Sequence, residues 1–296
     1  GKKLYLPVAH EGGGNLDKKK VYKYVQDVLN LNSNKIFFNA AYDVGWLQAE
    51  GFKVNGKIID AMIAAALIDE NRFTYSLNAL GFDYLKEIKS EVDLRDAAAQ
   101  FGIDPKAELY KLPAMFVGEY AEQDAALTLK LWNFFKIELV KQELTEIFDL
   151  ESELCPILIK MTERGIRFDS DKAEQTKKEM QNQEKEYLKK MKDICGLKID
   201  IWAAASIAQA FEKMNLSYNK TAKGAPSFTK NFLASHPHEL PQLIVKAREM
   251  NKATGTFITS LMDFASKDGR IHSHINQIRS DDGGTVTGRF SMVNPN

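Results

Sequence analysis

Short apolar runs of strand length hand over directly to segments with helical spacing through the first half of the chain. Leu4-Tyr5-Leu6-Pro7-Val8 alternates as a strand does, and a strand needs a neighbour, so the pattern predicts a partner strand ahead of it. The stretch EGGGNLDKKK joins a glycine cluster to a helix start, with Asn15 or Asp17 as cap and Val21, Tyr24, Val25 and Val28 at helical spacing. Lys35–Phe38 is a second apolar run and leads into a helix from Asn39 to Leu47; Lys57–Asp60 leads into the helical run beginning at Ala61. Strand followed by helix, repeated, predicts an α/β fold. Residues 73–118 read as short helices and loops, and one long helix is predicted from Val117 to Leu139.

The pattern changes after that helix. Residues 144–165 predict an amphipathic helix closed by Gly165, and Ile166-Arg167-Phe168-Asp169 a short returning strand. Residues 171–196 carry few apolar anchors and read as an exposed, projecting helix. Residues 219–230 form a basic loop rich in Gly, Ser and Thr, a helical pair covers 231–266, and 270–279 alternates as a strand. No internal repeat and no low-complexity tract interrupts this order. At 296 residues with 44% hydrophobic content, the chain has material for two domain cores.

Charge and cysteine content narrow the function classes. Forty basic and forty acidic residues balance, so binding to nucleic acid must come from local patches rather than a global field. Cys155 and Cys195 lie outside any CxxC spacing, which argues against a disulfide framework or a zinc site and for a reducing, cytoplasmic setting. No apolar run approaches the roughly 20 residues of a membrane helix, so no membrane partner is expected. The opening at Gly1 and the polar close TGRFSMVNPN read as cut ends.

Two residue pairs could carry chemistry. Asn39 and Asp43 stand four apart at the start of a helix that comes after a strand, where α/β folds commonly place ligands. Tyr120 and Asp124 repeat that spacing on the long helix. Phosphodiester hydrolysis calls for carboxylates holding two divalent ions about 4 Å apart. Asp43 and Asp124 are suitable hard oxygen ligands, and Tyr120, one turn before Asp124, could orient the attacking water. Taken singly, an aspartate at a helix start is more often a cap, and a Tyr four before an Asp is a common coincidence.

The motifs also come in a recognisable order. FFNAAYDVGWL resembles the second exonuclease motif of the DNA polymerase I family (family A), and YAEQDAALTLKLW resembles its third, the Tyr-x-x-x-Asp type. IIDAMIAAALIDENRFTYSLNAL, between them, resembles the family's Asp-Thr-Met helix and the segment after it. LESELCPILIKMTERGIRFD resembles the entry to the polymerase domain, KTAKGAPSFTKNFL its thumb, and GRIHSHINQIRSDDGGTVTGRFSMVNPN its Thr-x-Thr-Gly-Arg-x-Ser motif.

This resemblance implies a ribonuclease H-like 3′-5′ exonuclease domain over residues 1–138, a mixed sheet flanked by helices, then a largely helical thumb and first palm strands over 139–296. It implies a DNA-directed DNA polymerase with proofreading, acting in replication and repair. Asp43 and Asp124 would bind metal, Tyr120 would position water, and Asn39 would support the site. The expected cofactor is Mg²⁺ or Mn²⁺, two ions per active site. Expected partners are primer-template duplex, a single-stranded 3′ end and deoxynucleotides, in a bacterial or phage-infected cytoplasm. The family's Asp-x-Glu motif would fall just before Gly1 and its catalytic palm aspartates after Asn296. Two carboxylates alone should hold two hydrated ions poorly, so weak or no nuclease activity is expected of this segment by itself.

For DNA, the resemblance puts Arg289, with Thr287 and Asn296 in the same motif, at the primer terminus, where minor-groove acceptors are uniform. Arg248 and Lys252 share a helix face and align with basic thumb residues that track the duplex. Lys220, Lys223 and Lys230 sit in a small-residue loop suited to phosphate, although a merely solvated loop fits nearly as well. His272 and His274 share one strand face, near DNA or simply packed; Trp46, Trp132, Phe134 and Phe135 read as core residues. A stand-alone exonuclease of the same superfamily and an inactive DNA-binding module are the alternatives.

Overall fold

The helical and strand-like stretches sort into two compact units in the computed structural model, which describes residues 2–89, 91–105, 107–278 and 288–295. One unit comprises Gly1–Arg164 with Ser273–Asn294, the other Gly165–His272.

The first unit is built on a parallel pair, β1 (Lys35–Phe37) and β2 (Ile58–Asp60), in register Lys35↔Ile58 to Phe37↔Asp60. Each strand feeds a helix, α2 (Ala40–Ala49) and α3 (Ala61–Ile68), as the α/β pattern predicts. Four alanines and Ile63 bury most of α3, and the small side chains let it lie close against the long helix α6 (Ala114–Lys141). Leu127, Leu131, Phe135 and Leu139 of α6 join that core with Phe148 of α7 (Thr145–Arg164). Burying each such side chain contributes on the order of 2 kcal/mol. A second cluster sets Ala40 and Val44 of α2 against Cys155 and Ile159 of α7. Asp17 caps α1 (Lys18–Leu29) by accepting from Lys20 N at 2.9 Å; Asn15 instead bonds to the backbone of His10. The short elements α4 (Leu77–Leu80) and α5 (Val92–Phe101) complete the unit, with the hairpin of β7 (His274–Asn276) and β8 (Ser291–Val293).

Several expectations change here. Residues 4–8 form no strand: Pro7 has no N–H to donate, and Tyr5 instead meets Gly118 of α6, while Glu11 N, further on, donates to Tyr110 O ahead of that helix. Among the described residues the sheet carrying the site is this parallel pair, smaller than the mixed sheet expected. The long helix starts three residues earlier than predicted, at Ala114, whose N–H donates to Gly13 O.

In the second unit β3 (Ile166–Arg167) pairs antiparallel with β6 (Arg270–Ile271). The polar helix α8 (Ser170–Cys195) does not simply project: Tyr187, Leu188, Met191 and Cys195 dock its last turns on α11 (Glu239–Lys252), and only the earlier turns stay solvated. Phe211 of α9 (Ala204–Lys213), Leu233 of α10 (Lys230–Ser235) and Ile244 of α11 are fully buried in the same core. The helix α12 (Thr259–Phe264) continues from α11 through a π-helical turn. The single strand expected over 270–279 is broken after Ile271, so its two pieces pair with different strands in different units. The basic loop is a tight hairpin of β4 (Asn219–Lys220) and β5 (Pro226–Ser227).

Candidate nuclease site and nucleic-acid contacts

Asp60 ends β2 and is 4% exposed. Its carboxylate caps α3 by accepting from Met62 N at 2.9 Å, and reaches across the parallel register to accept from Asn39 N at 3.0 Å and Ala40 N at 2.7 Å. One buried carboxylate therefore ties down the starts of both helices. Burial raises its pKa, although the backbone N–H groups pull the other way. Asn39 adopts a left-handed conformation, φ 63°, so the chain turns sharply between β1 and α2, and its own side chain makes no cap bond. A cavity lined by Asn39, Asp60, Tyr75, Cys155, Asn276 and Gln277 opens at this point. Burial, and then the Asp60 charge, pushes the Cys155 thiol up to about 12, which keeps it inert.

Asp43 lies one turn into α2. Its carboxyl is pushed up to about 6, first by loss of water and then by the Asp60 charge, although the residue keeps an exposed flank where solvent weakens both effects.

On α6, Tyr120 and Asp124 share a face and meet a residue that nothing in the hydrophobic pattern singles out. Lys89 comes after the π-helical turn at Gly81–Leu85, and its side chain is 8% exposed. Its ammonium donates to Tyr120 Oη at 2.9 Å, lies 4.0 Å from the Tyr120 ring centre and 2.7 Å from Asp124 Oδ1. Asp124 Oδ1 is buried, and this contact is a close ion pair without hydrogen-bond alignment. Burial pulls the Lys89 pKa down, but Asp124 and Tyr120 outweigh it and the net direction is up. Glu91 is a second, longer partner at 3.7 Å.

The structure thus brings Tyr120 and Asp124 together and, separately, Asn39, Asp43 and Asp60. Among the described residues no group of three or more His, Cys, Asp or Glu side chains is placed to hold a metal ion. The donor set present does not fit a two-ion centre, and the inner oxygen of Asp124 already faces an ammonium.

The expected DNA contacts also sort themselves by geometry. Lys220 and Lys223 are exposed on the β4–β5 hairpin, whose turn uses Gly224 at φ 81°. Lys252 is exposed at the end of α11. Arg248, one turn earlier, is turned inward: Nε donates to Ile201 O at 2.6 Å and Nη1 to Phe228 O at 3.0 Å, with the guanidinium 5.2 Å from the Trp202 ring centre. Arg289 is exposed after Gly288, at φ 70°. Thr287 and Asn296 lie outside the described residues. His272 bonds to Asp268, whereas His274 is exposed, so the two do not share surroundings. Trp132, Phe134 and Phe135 pack as expected. Trp46 does not: it is 60% exposed, edge-on to the exposed Tyr42.

Residues 2–140 match the 3′-5′ exonuclease family model and residues 170–296 the model of DNA polymerase family A. A DNA-directed DNA polymerase of Pseudomonas phage M6 is 36% identical over 99% of this chain and 46% of its own length. A DNA polymerase DpoZ of Acinetobacter phage SH-Ab 15497 is 30% identical over all of this chain and 51% of its own length, and DNA polymerase I of Pseudomonas aeruginosa is 25% identical over all of this chain and 33% of its own. The POL domain of Pol1 from M. smegmatis, solved in complex with DNA primer-template and dNTP, shares the fold at a TM-score of 0.70 and 19% identity, over 95% of this chain and 46% of that one.

The chain belongs to DNA polymerase family A, a 3′-5′ exonuclease domain followed by polymerase-domain sequence. It spans about half the length of the phage relatives. Domains of these two families generally work with divalent metal ions. Among the described residues no helix is long and apolar enough to cross a membrane.

Proposed function

We propose that this chain carries the proofreading exonuclease domain and the first part of the polymerase domain of a DNA-directed DNA polymerase, in which Asp43, Tyr120 and Asp124 with Asn39 act on a single-stranded 3′ end. The support for the reading is the match of residues 2–140 to the 3′-5′ exonuclease family, with both carboxylate-bearing helices inside it. The boundary is drawn at residue 138, close to the end of that match, although α7 packs with the first unit. Deoxynucleotides and primer-template are the polymerase substrates, and the setting is a bacterial or phage-infected cytoplasm. The cofactor expected from the family is Mg²⁺ or Mn²⁺, two ions per site, toward which Asp43 and Asp124 would each offer a carboxylate.

The chain's own residues do the positioning. Asp60 holds the backbone of Asn39 and Ala40, which sets the angle at which α2 carries Asp43 away from β1. Tyr120 offers a phenol one turn before Asp124, within reach of a water that its oxygen can orient. Lys220, Lys223, Lys252 and Arg289 are the surface cations assigned to the duplex, with Thr287 and Asn296 beside Arg289 in sequence; Arg248 belongs to that set by alignment, although its guanidinium is committed to carbonyls.

The test is Asp124→Ala in the full natural protein, assayed on a primer with a mispaired 3′ end. Excision should fall by roughly a hundredfold or more while extension of a paired primer is kept. Unchanged excision would leave the alternative, a DNA-binding module with an inert nuclease fold.

A further inference from the structure

Arg248 is a cation of the second unit that faces inward, where loss of water holds its pKa below the ordinary arginine value. Its hydrogen bonds go to main-chain carbonyls, Ile201 O at 2.6 Å and Phe228 O at 3.0 Å, so the guanidinium is fixed in place. What it covers is one face of Trp202, 5.2 Å from the ring centre. Trp202 is held at two further points: its Nε1 donates to Asn251 Oδ1 at 2.9 Å, and its backbone N–H donates to Asp200 Oδ1 at 2.9 Å. Asn251 in turn donates to Glu184 of α8 at 3.0 Å. Yet Trp202 stays 54% exposed. An aromatic scattered on a surface needs no explanation, but one clamped at its edge, its backbone and one face offers the other face as a fixed surface.

Adjoining residues supply the other parts of a surface for nucleic acid. Lys252 follows Asn251 on α11 and is exposed. Its ammonium lies 5.9 Å from the ring centre of Phe257, which is 55% exposed in the π-helical turn that comes next. Two exposed rings and a cation match what a single strand offers, base faces to stack on and phosphate to neutralise. A duplex keeps its base faces inside its own stack and would leave both rings unused. We propose that Trp202 and Phe257, with Lys252, form a platform on which unpaired bases of a DNA strand stack, and that Arg248 is a positioning residue backing the Trp202 ring. Lys252 then meets phosphate where a duplex gives way to single strand. The platform uses none of Asp43, Tyr120 and Asp124, so the excision test of Asp124→Ala decides the nuclease reading separately.

The experiment measures DNA affinity of the full natural protein and its variants with a chelator present, so that no strand is cut. The probes are an oligothymidylate carrying 2-aminopurine, the same strand closed into a circle, and a blunt duplex. Binding of the natural protein should change 2-aminopurine fluorescence in the single strand, the signature of a base stacked on a ring; an unchanged signal on binding overturns the platform. Trp202→Ala and Phe257→Ala should each weaken single-strand binding by on the order of tenfold, the scale of one lost stacked base, and leave the duplex within about threefold. Trp202→Phe keeps a ring and should stay within about threefold of the natural protein. Lys252→Ala should flatten the salt slope for the single strand by roughly 0.7. Trp202→Ala uncovers Arg248 and can disturb the fold, whereas Phe257→Ala leaves that contact alone, so its loss of affinity has to appear for the platform to stand. Equal losses on duplex and single strand would make the rings a backbone contact and sink the proposal. Losses on circle and linear strand alike place the platform on the interior of an unpaired template, and losses confined to the linear strand place it at the 3′ end.

Discussion

At residue 43 a carboxyl with an ordinary pKa of 3.8 is pushed up to about 6 by lost hydration and by the neighbouring Asp60 charge. A carboxyl that holds its proton more tightly folded than unfolded contributes stability while it is protonated, below pH 3.8, and that contribution is lost as pH climbs through about 6. At neutral pH the ionised Asp43 is therefore a cost to the fold. Asp43→Asn should raise stability at pH 8 by on the order of 1 kcal/mol, after allowing for solvent at the exposed flank, and by nothing at pH 4. Thermal unfolding of the two proteins at both pH values checks this; an equal or larger gain at pH 4 would mean that packing, not charge, separates them. Helical spacing paired Asn39 with Asp43 and Tyr120 with Asp124, because a repeat of four residues fixes which side chains share a face, and the order of the family-like motifs gave those pairs their weight. Asp60 and Lys89 were not legible that way. Asp60 reads locally as a helix cap, and its reach to Asn39 and Ala40 exists only through the parallel register of β1 and β2. Lys89 sits in irregular sequence whose partner lies 35 residues on. Trp46 misled in the opposite sense, since core spacing does not reveal that the side chain ends 60% exposed.

The segment before α1 shows what an element can hide. Its alternation suggested a strand, but its work is to brace the helix that carries Tyr120 and Asp124. Gly13 O accepts from the first N–H of α6, and Gly12 is pressed against the residue before it. A Cβ on Gly12 would stand 2.4 Å from Pro113 N and 2.6 Å from Pro113 Cδ, and neither the backbone nor a ring locked to it can yield. Gly12→Ala should cost about 2 kcal/mol, the range of overpacking, and lower excision along with it by shifting the start of α6. Gly45, inside α2 with open space around it, is the control: Gly45→Ala should be neutral or stabilising by up to about 1 kcal/mol. Thermal melts of both variants decide the point, and equal melting temperatures would mean that the glycine cluster is mere linker. Composition could announce a turn at EGGGN but not its docking, because tolerance for close approach is visible only once the approaching chain is known. The α/β order, by contrast, was plain, since strand-to-helix handovers depend on local periodicity alone.

At the scale of the whole molecule, forty charges of each sign leave no net field, so affinity for a duplex has to be assembled from a few placed cations. The hairpin of β4 and β5 presents Lys220 and Lys223 to solvent, held by a turn in which Thr221 N donates to Ala225 O at 2.8 Å and Gly224 N to Thr221 O at 2.8 Å. By composition the segment was only a basic loop; the short hydrogen bonds make it a fixed presentation of two charges, which lowers the ordering cost of meeting phosphate. Arg248 illustrates the converse, because a basic residue expected to meet DNA is here bonded to two carbonyls. The salt dependence of binding separates a phosphate contact from a solvated lysine. Each neutralised phosphate adds roughly 0.9 to the slope of log affinity against log salt concentration, so Lys220→Ala/Lys223→Ala should flatten that slope by between one and two for a primer-template duplex. Fluorescence anisotropy with the full natural protein across a salt series measures it. Both side chains are exposed, so the fold should be unaffected and any change in slope belongs to the duplex contact; an unchanged slope would return the hairpin to a solvated surface.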